Sequence, residues 1–296
     1  MRVMVVYNPV SGRSMACRNA IAISERLLGI PYDVELIQTQ STSPENWLVP
    51  KLQFKPDAIV VVGGDGTLRQ VASMLVGSSI PVYHASSGTE NLFAKSMNTN
   101  NASPQAVVQS ILNPDVIEID TATANGEFML LMASVGFDAA VVTDLASKRG
   151  SSITHFSYIM PCVCQLFKWN PPNMTVIVDG EEVVTNKTGW AVIANNKQYA
   201  RGLNPAKNAV ITDGKLDVVF LPLKGRISLL NWIRWMRRGT HLHHPSAVYV
   251  TGKQIKVTTD APAPWQLDGD GIGDASEMEL VCVPKSMSAL RGRHTQ

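Results

Sequence analysis

Cysteine is scarce and poorly placed for chemistry. The four thiols of the 296-residue chain, Cys17, Cys162, Cys164 and Cys282, form no C-x-x-C pair and lack the spacing of a zinc site. They read as small apolar side chains in a reducing compartment. The apolar runs are too interrupted for a membrane span, and residues 1–8 read as a first strand, too short for the apolar core of a signal peptide. A cytoplasmic protein is the expectation. An excess of charge of one sign is also missing: 26 Lys and Arg stand against 24 Asp and Glu, for a net charge of +2. Bulk charge gives no case for nucleic acid as a partner, so any basic surface has to be local. There is neither an internal repeat nor a low-complexity tract.

What remains is an ordinary globular composition, 45% hydrophobic and 17% charged, in a chain long enough for two domains. The first third alternates. Strands are expected at 3–7, 32–38, 58–62 and 80–84, and helices at 15–28, 68–76 and 90–97. Parallel neighbours need long crossovers, so this alternation implies parallel pairing. The unbroken apolar run 59–62 fits a strand covered on both faces. From about residue 115, β-type runs dominate, at 116–119, 128–134, 174–178, 189–194, 216–221 and 254–258. Asn125-Gly126, Asp179-Gly180 and Asp213-Gly214 break them, and such dipeptides favour hairpin turns. Helical runs interrupt at 137–148, 156–167 and 226–238. The expected fold is α/β, with an N-terminal parallel-sheet domain (1–115) and a C-terminal antiparallel β-sandwich domain (116–284), the tail 285–296 returning to the first.

The chemistry-bearing stretches sit at strand ends. Residues 59–62 run straight into Gly63-Gly64-Asp65-Gly66-Thr67, and a helical pattern starts at once. Strand, glycine-rich loop and helix make the geometry of a phosphate cradle: glycine lets the backbone approach the ligand, and helix-start amides attract anions. Asp65 would repel a phosphate unless a Mg²⁺ lies between them, directly or through water. The other reading is a tight turn in which Asp65 caps the following helix. A second loop, Ser86-Ser87-Gly88-Thr89-Glu90-Asn91, again joins strand to helix, and Thr89 can bond a phosphate or cap the helix. A third, Asn8-Pro9-Val10-Ser11-Gly12-Arg13, follows the first strand and puts Arg13 within reach of a phosphate.

Near the end lies Asp268-Gly269-Asp270. Phosphoryl transfer to a hydroxyl needs a base to orient it, and Asp268 can project from a strand end. Asp268, Asp270, Asp274 and Glu279, with Gly273, also approach a calcium loop, although Ile272 occupies a ligand position and Pro262 and Pro264 rule out an entering helix. A solvated turn is the third reading. Asp213-Gly-Lys-Leu-Asp217 reads as a hairpin turn on its own residues. Within 226–238, Leu229, Trp232, Ile233, Trp235 and Met236 fall on one arc, Asn231, Arg234 and Arg238 opposite, and Arg226 and Arg237 at the edges. That pattern suits an anionic bilayer surface or a core-facing helix with a solvated basic face. His241, His243 and His244 lack a nearby acidic or thiol partner and read as surface histidines.

Taken in order, Asn8-Pro-x-Ser11-Gly12, Gly63-Gly-Asp-Gly-Thr67, Gly88-Thr-Glu-Asn-Leu-Phe-Ala94, Gly136-Phe-Asp-Ala139, Asp213-Gly-x-Leu-Asp217 and Asp268-Gly269 cover essentially the whole chain. The set resembles the diacylglycerol kinase catalytic-domain family, bacterial lipid-kinase type, related to the sphingosine and NAD kinases. The resemblance implies an α/β nucleotide-binding domain followed by a β-sandwich domain. It also implies an ATP-dependent lipid kinase moving the γ-phosphoryl group of Mg-ATP to the hydroxyl of a diacylglycerol-like lipid. By the same resemblance Asn8, Ser11, Gly12, Thr39, Gly63, Gly64, Asp65, Gly66, Thr67, Gln70, Gly88, Thr89 and Asn91 would hold the nucleotide, with Mg²⁺ at Asp65. Asp213 would bind a structural Mg²⁺ with the backbone carbonyls of Val210 and Lys215. Asp268 would be the base and Asp270 its metal or orienting partner. The implied partner is a lipid at the inner face of a membrane, met through the basic helix from Arg226 to Arg238; nucleic acid is not implied, and a homodimer is compatible. The chain departs from the family pattern at Glu90 and Leu92, where Gly and Asp are common, and at Asp270, where Glu is usual. Two other readings stay open: an NAD kinase, which shares Gly-Gly-Asp-Gly-Thr, and a catalytically weak nucleotide- or lipid-binding regulator, which the departures at Glu90 and Asp270 motivate.

Overall fold

The computed structural model describes residues 1–29, 32–147 and 170–292. The helical run expected at 156–167, together with Cys162 and Cys164, lies outside the described residues, as do Lys148 and the side chain of Arg13. The chain divides into two compact units, Met1–Ile119 with Lys285–Gln296, and Asp120–Pro284.

The first unit runs β1 (Arg2–Tyr7), α1 (Met15–Leu28), β2 (Asp33–Gln38), α2 (Pro44–Trp47), α3 (Val49–Leu52), β3 (Ala58–Gly63), α4 (Asp65–Ser73), β4 (Val82–Ser86), α5 (Leu92–Ser96) and α6 (Pro104–Leu112). β1 pairs in parallel with β2 and β3, and β3 in parallel with β4. The inner strands have no solvated face, so Val3, Met4, Val5 and Val6 of β1 and Ile59, Val60, Val61 and Val62 of β3 are all fully buried. β2, at the sheet edge and paired among the described residues only with β1, alternates polar and apolar side chains more than β1 and β3 do and buries only Ile37. α1 seals one face with Ala16, Ala20, Ile23 and Leu27, spaced three and four apart. Ser43 and Ser103 cap α2 and α6, each followed by a proline whose missing N–H costs nothing there. The end of the chain returns to this unit: Ala289 pairs in parallel with Val82, and the Arg291 and Gly292 amides donate to the carbonyls of Asp115 (3.0 Å) and Met97 (2.8 Å).

The second unit is built from β5 (Val116–Ala124), β6 (Glu127–Met129), β7 (Met132–Val135), α7 (Phe137–Ser147), β8 (Asn173–Val178), β9 (Glu181–Ala194), β10 (Leu216–Pro222), α8 (Arg226–Arg237), β11 (Val248–Gly252), β12 (Gln254–Leu267) and β13 (Asp270–Leu290); the first residues of β5, through Ile119, and the last of β13, from Lys285, belong to the first unit. Its pairings are antiparallel: β12 with β13, β7 and β8, β9 with β7, β8 and β10, and β10 with β11. Asn125-Gly126 and Asp179-Gly180 make the expected two-residue hairpins, with φ of 47° and 84°, and 49° and 88°. Positive φ at both positions matches the twist of the flanking strands.

Several expectations are corrected. The strand expected at 128–134 is two, β6 and β7, parted at Leu130 and Leu131. Asp213-Gly214 is not a two-residue hairpin: it lies at the end of the long connection from β9 to β10, and the Asp213 carboxylate accepts the Lys215 amide (3.1 Å) in a local turn. Asp270, Asp274 and Glu279 all lie on β13, so the calcium-loop reading fails. β12 tolerates Pro262 because the ladder shifts register between Thr258 and Ala263, while Pro264 lies opposite Asp274. His241 is fully buried, its ring bonded to the Pro205 carbonyl (2.6 Å), and burial lowers its pKa; His243 is exposed. Cys282 packs in the core of this unit, where burial pushes its thiol up to about 12. In α8 the buried residues are Leu229, Trp232 and Met236, which makes it a core-facing helix. Its outer face carries Ile227, Leu230, Arg226, Arg234, Arg237 and, just beyond, Arg238.

On the β10–β11 ladder Asp217 lies diagonally from Tyr249, whose hydroxyl donates to it. Burial raises the Asp217 carboxyl from 3.8 to about 6, and the charge of Asp213 adds to the rise while the Tyr249 hydrogen bond opposes it. Between those values the folded chain keeps a proton that the unfolded chain has lost, so this group's contribution to stability falls as pH rises through the window. Asp217→Asn has no such proton to lose. Thermal melts should therefore show the Tm of the variant rising relative to wild type as pH goes from about 4 to about 6; a constant difference refutes the assignment.

Candidate functional site

Three loops of the first unit, each at the carboxyl end of a parallel strand, touch one another. A Cβ on Gly88 would lie 2.6 Å from the Gly64 Cα, and one on Gly12 2.5 Å from the Ser87 carbonyl oxygen. Only glycine permits either approach. Hydrogen bonds tie the same loops: Asn8 Nδ2 donates to Thr67 Oγ1 (3.2 Å), the Asn8 amide to the Val62 carbonyl (3.2 Å) and the Ser87 amide to the Gly63 carbonyl (2.8 Å). Ser11 bonds back to Asn8, and Thr39, just past β2, to Tyr7. The sequence-expected residues Asn8, Ser11, Gly12, Gly63, Gly64, Thr67 and Gly88 are thus brought together, while Thr89 and Gln70 are exposed at the margin.

Asp65 has an unforeseen partner. Its carboxylate accepts the amides of Leu92 (2.9 Å) and Phe93 (3.1 Å) at the start of α5, rather than capping α4, in which it lies. Those amides have no partner within their own helix, and stranding each would cost about 1–3 kcal/mol. Asn91 closes the second loop, accepting the Gly88 amide (2.9 Å) and donating to the Gly88 carbonyl (3.0 Å). The left-handed residue here is Asn91, at φ 51°, and Glu90 needs no positive φ. The Glu90 departure therefore costs nothing in backbone, and its carboxylate lies 3.7 Å from Lys95. His84, which sequence reasoning passed over, is fully buried behind Gly63 and donates from Nε2 to its carbonyl (3.0 Å). Burial lowers its pKa, against the opposing pull of the Asp65 charge and the Gly63 carbonyl.

The cradle suits a phosphate chain. Among the described residues, nothing beyond its chain neighbours and its own helix backbone lies within 4 Å of a Cβ placed on Gly66, so the first turn of α4 is open there, and the buried Ser87 Oγ has no hydrogen-bond partner. Among the described residues no three His, Cys, Asp or Glu side chains are grouped to hold a metal ion. A Mg²⁺ carried by phosphates and water needs only one or two carboxylates, and Asp65 keeps acceptor capacity beyond its two amide bonds. At the other expected metal position, the Val210 carbonyl accepts the Asp213 amide (3.3 Å).

In the second unit Asp268-Gly269 forms a third two-residue hairpin, φ 52° and 90°, between paired Leu267 and Asp270. The Asp268 carboxylate accepts three successive amides: Leu130 (2.8 Å), Leu131 (2.7 Å) and Met132 (2.9 Å). Its own amide donates to the Met132 carbonyl (2.8 Å). In the same unit Asp138, in the first turn of α7, accepts hydrogen bonds from Ser134 Oγ (2.5 Å) and the Tyr199 hydroxyl. Burial raises the Asp138 pKa, and hydrogen bonds from Ser134, Tyr199 and the Ala139 amide oppose the rise.

Residues 2–124 match the model of the diacylglycerol kinase catalytic domain, and residues 132–291 that of the YegS C-terminal NAD kinase beta sandwich-like domain. The chain belongs to the diacylglycerol kinase catalytic-domain family. By class it is a lipid kinase. It is 25% identical to a diacylglycerol kinase of Mycobacterium tuberculosis (strain CDC 1551 / Oshkosh), over 99% of this chain and 96% of the relative. It is 21% identical to one of Bacillus subtilis (strain 168), over 91% and 89%. The crystal structure of a diacylglycerol kinase from Bacillus anthracis str. Sterne shares its fold, with a TM-score of 0.71 and 17% identity over 98% and 97% of the chains.

The Gly64–Gly88 approach is the tightest test of how this diacylglycerol kinase family member builds its loops. Gly88→Ala forces a methyl group against main chain that cannot yield cheaply, and should cost about 1–3 kcal/mol. Calorimetry should show Tm falling roughly 2–4 °C for each kcal/mol; an unchanged Tm would mean the loops are not in contact.

Proposed function

We propose that this lipid kinase uses ATP with Mg²⁺ and transfers the γ-phosphoryl group to a hydroxyl of a diacylglycerol-like lipid. The observation that carries this reading is the cradle of three loops closed by Gly12, Gly64 and Gly88 and open at Gly66. Backbone amides there would take the phosphates, with Thr67, Thr89 and the unpartnered Ser87 Oγ beside them. Mg²⁺ at Asp65 would offset phosphate charge. Asp213 with the Val210 and Lys215 carbonyls remains the proposed structural metal position.

Asp268 would orient the attacking hydroxyl, with Asp270, the first residue of β13, as its partner. Three amide donors leave the Asp268 carboxylate little freedom to turn. That is a reasonable state for this chemistry, because phosphoryl transfer passes through a loose transition state in which positioning counts for more than early proton removal.

The acceptor lipid would be met at a membrane surface through the outer face of α8, where Ile227 and Leu230 lie beside Arg226, Arg234, Arg237 and Arg238. Basic side chains near an anionic bilayer contribute about 1 kcal/mol each. Among the described residues no helix is long and apolar enough to cross a membrane.

Labelled ATP, Mg²⁺ and a panel of lipid hydroxyl acceptors test the reaction directly. Asp268→Asn should lower turnover about a hundredfold or more. Gly66→Ala should keep or slightly raise Tm, since alanine suits a helix better by about 0.5–1 kcal/mol. It should nevertheless weaken ATP binding at least about tenfold by filling the open side of the cradle. Transfer to NAD with no lipid product would replace this reading with an NAD kinase. For the membrane, sedimentation with anionic vesicles should be lost in Arg234→Glu/Arg237→Glu while ATP binding is kept; equal sedimentation with neutral and anionic vesicles removes α8 from the proposal.

A further inference from the structure

The Asp268 hairpin is held by more than the three amides on its carboxylate. The Gly269 amide donates to Gln266 Oε1 (2.8 Å), Gln266 Nε2 donates to Ser134 Oγ (2.9 Å), and Ser134 Oγ–H donates to Asp138 Oδ2 (2.5 Å). Tyr199 donates to the same oxygen. Gln266 and Ser134 face each other across the β12–β7 ladder and are 2% and 0% exposed. No solvent competes for these groups, so every donor has to meet an acceptor within the chain of bonds.

One end of that chain dictates its direction. A backbone amide can only donate, so the Gly269 end alone sets the order of donors and acceptors through Gln266 and Ser134 to Asp138 Oδ2. Gln266 must turn its oxygen to Gly269, which leaves its NH₂ facing Ser134. Ser134 therefore offers a lone pair to Gln266 and spends its single proton on Asp138. Take away the acceptor at Asp138 and the serine hydroxyl is free to rotate. Gln266 Nε2 then has no fixed lone pair to meet, and the side chain loses the restraint that keeps its oxygen on the Gly269 N–H.

We propose that Asp138, Ser134 and Gln266 are positioning residues whose one-way hydrogen-bond chain holds the Asp268-Gly269 turn in its reactive shape. This rests on the reading of Asp268 as the residue that orients the hydroxyl. None of the three side chains is assigned to substrate.

Gln266→Glu makes the chain's direction titratable. While protonated, the introduced carboxyl donates to Ser134 and accepts from Gly269, as the glutamine amide does; once ionised, it meets Ser134 acceptor against acceptor, with the single serine proton already on Asp138, and is driven off both Ser134 and Gly269. The ratio of variant to wild-type kcat should be near one at the acid end of the accessible range. It should fall about tenfold as pH rises through the titration of that side chain, with KM for ATP unchanged. Protection of the Gly269 amide against hydrogen exchange should fall over the same range, a readout that needs neither ATP nor lipid. A pH profile and Gly269 protection identical to wild type overturn the proposal. If Gln266→Glu does not fold, Ser134→Ala carries the test: kcat about tenfold down and Gly269 unprotected support it, while undiminished values sink it. Asp268→Asn keeps the two questions apart. If that variant turns over lipid normally, the reading of the site fails; if it is inactive while Gln266→Glu matches wild type at every pH, only the positioning chain fails.

Discussion

A carboxylate that gathers consecutive backbone amides is the interaction on which both candidate loops depend. Asp65 takes two from the start of α5, and Asp268 takes three, from Leu130 and Leu131 between β6 and β7 and from Met132 at the start of β7. In each case the donors are amides without an intrahelical or ladder partner, so the acid completes main-chain bonding that would otherwise be left open. The second loop of the first unit takes its path from Asp65 and the break between β6 and β7 takes its path from Asp268. Neither acid is simply displayed on a rigid frame; each belongs to the frame.

This dual use constrains what the acids do chemically. A carboxylate bound by two or three amides is oriented before any ligand arrives, and that ordering has already been offset by folding. The cost falls on versatility. Such a group is a fixed acceptor with little capacity to swing between partners, which suits the loose transition state of phosphoryl transfer better than a reaction needing a mobile base. It also means that activity and stability are entangled at Asp65 and Asp268, so any loss of turnover has to be read against the melting temperature of the same variant.

Much of this was legible in the sequence, and the reasons for the gaps are physical. Alternating strand and helix, the buried run 59–62 and the turns at Asn125-Gly126 and Asp179-Gly180 follow from periodicity and turn chemistry, which act over a few residues. The hairpin at Asp268-Gly269 obeys the same rule but was hidden by its acids, because Asp270, Asp274 and Glu279 disguise β13 as a loop. Strands with one solvated face carry charge freely, and that also shortened β9 and β12 in the reading. The partners of Asp65, 27 and 28 residues away, and of Asp268, 136 to 138 away, are backbone groups, which leave no mark in side-chain identity. His241 looked like surface because its acceptor is the carbonyl of Pro205, again invisible in sequence.

The departures from the family pattern carry less weight once the backbone is known. Glu90 stands where a glycine is common, and a glycine usually signals a left-handed residue or a close approach. Here both demands are met by neighbours: Asn91 takes the left-handed conformation, and Gly88 takes the approach to Gly64. Glu90 is left to face Lys95. A loop whose left-handed residue and close approach are supplied by Asn91 and Gly88 makes no backbone demand on Glu90, so the regulator reading loses one of the two observations that motivated it. The other, Asp270, concerns reach alone. Its position opposite Leu267 at the start of β13 is set by the hairpin, and a side chain one methylene shorter leaves that main chain untouched.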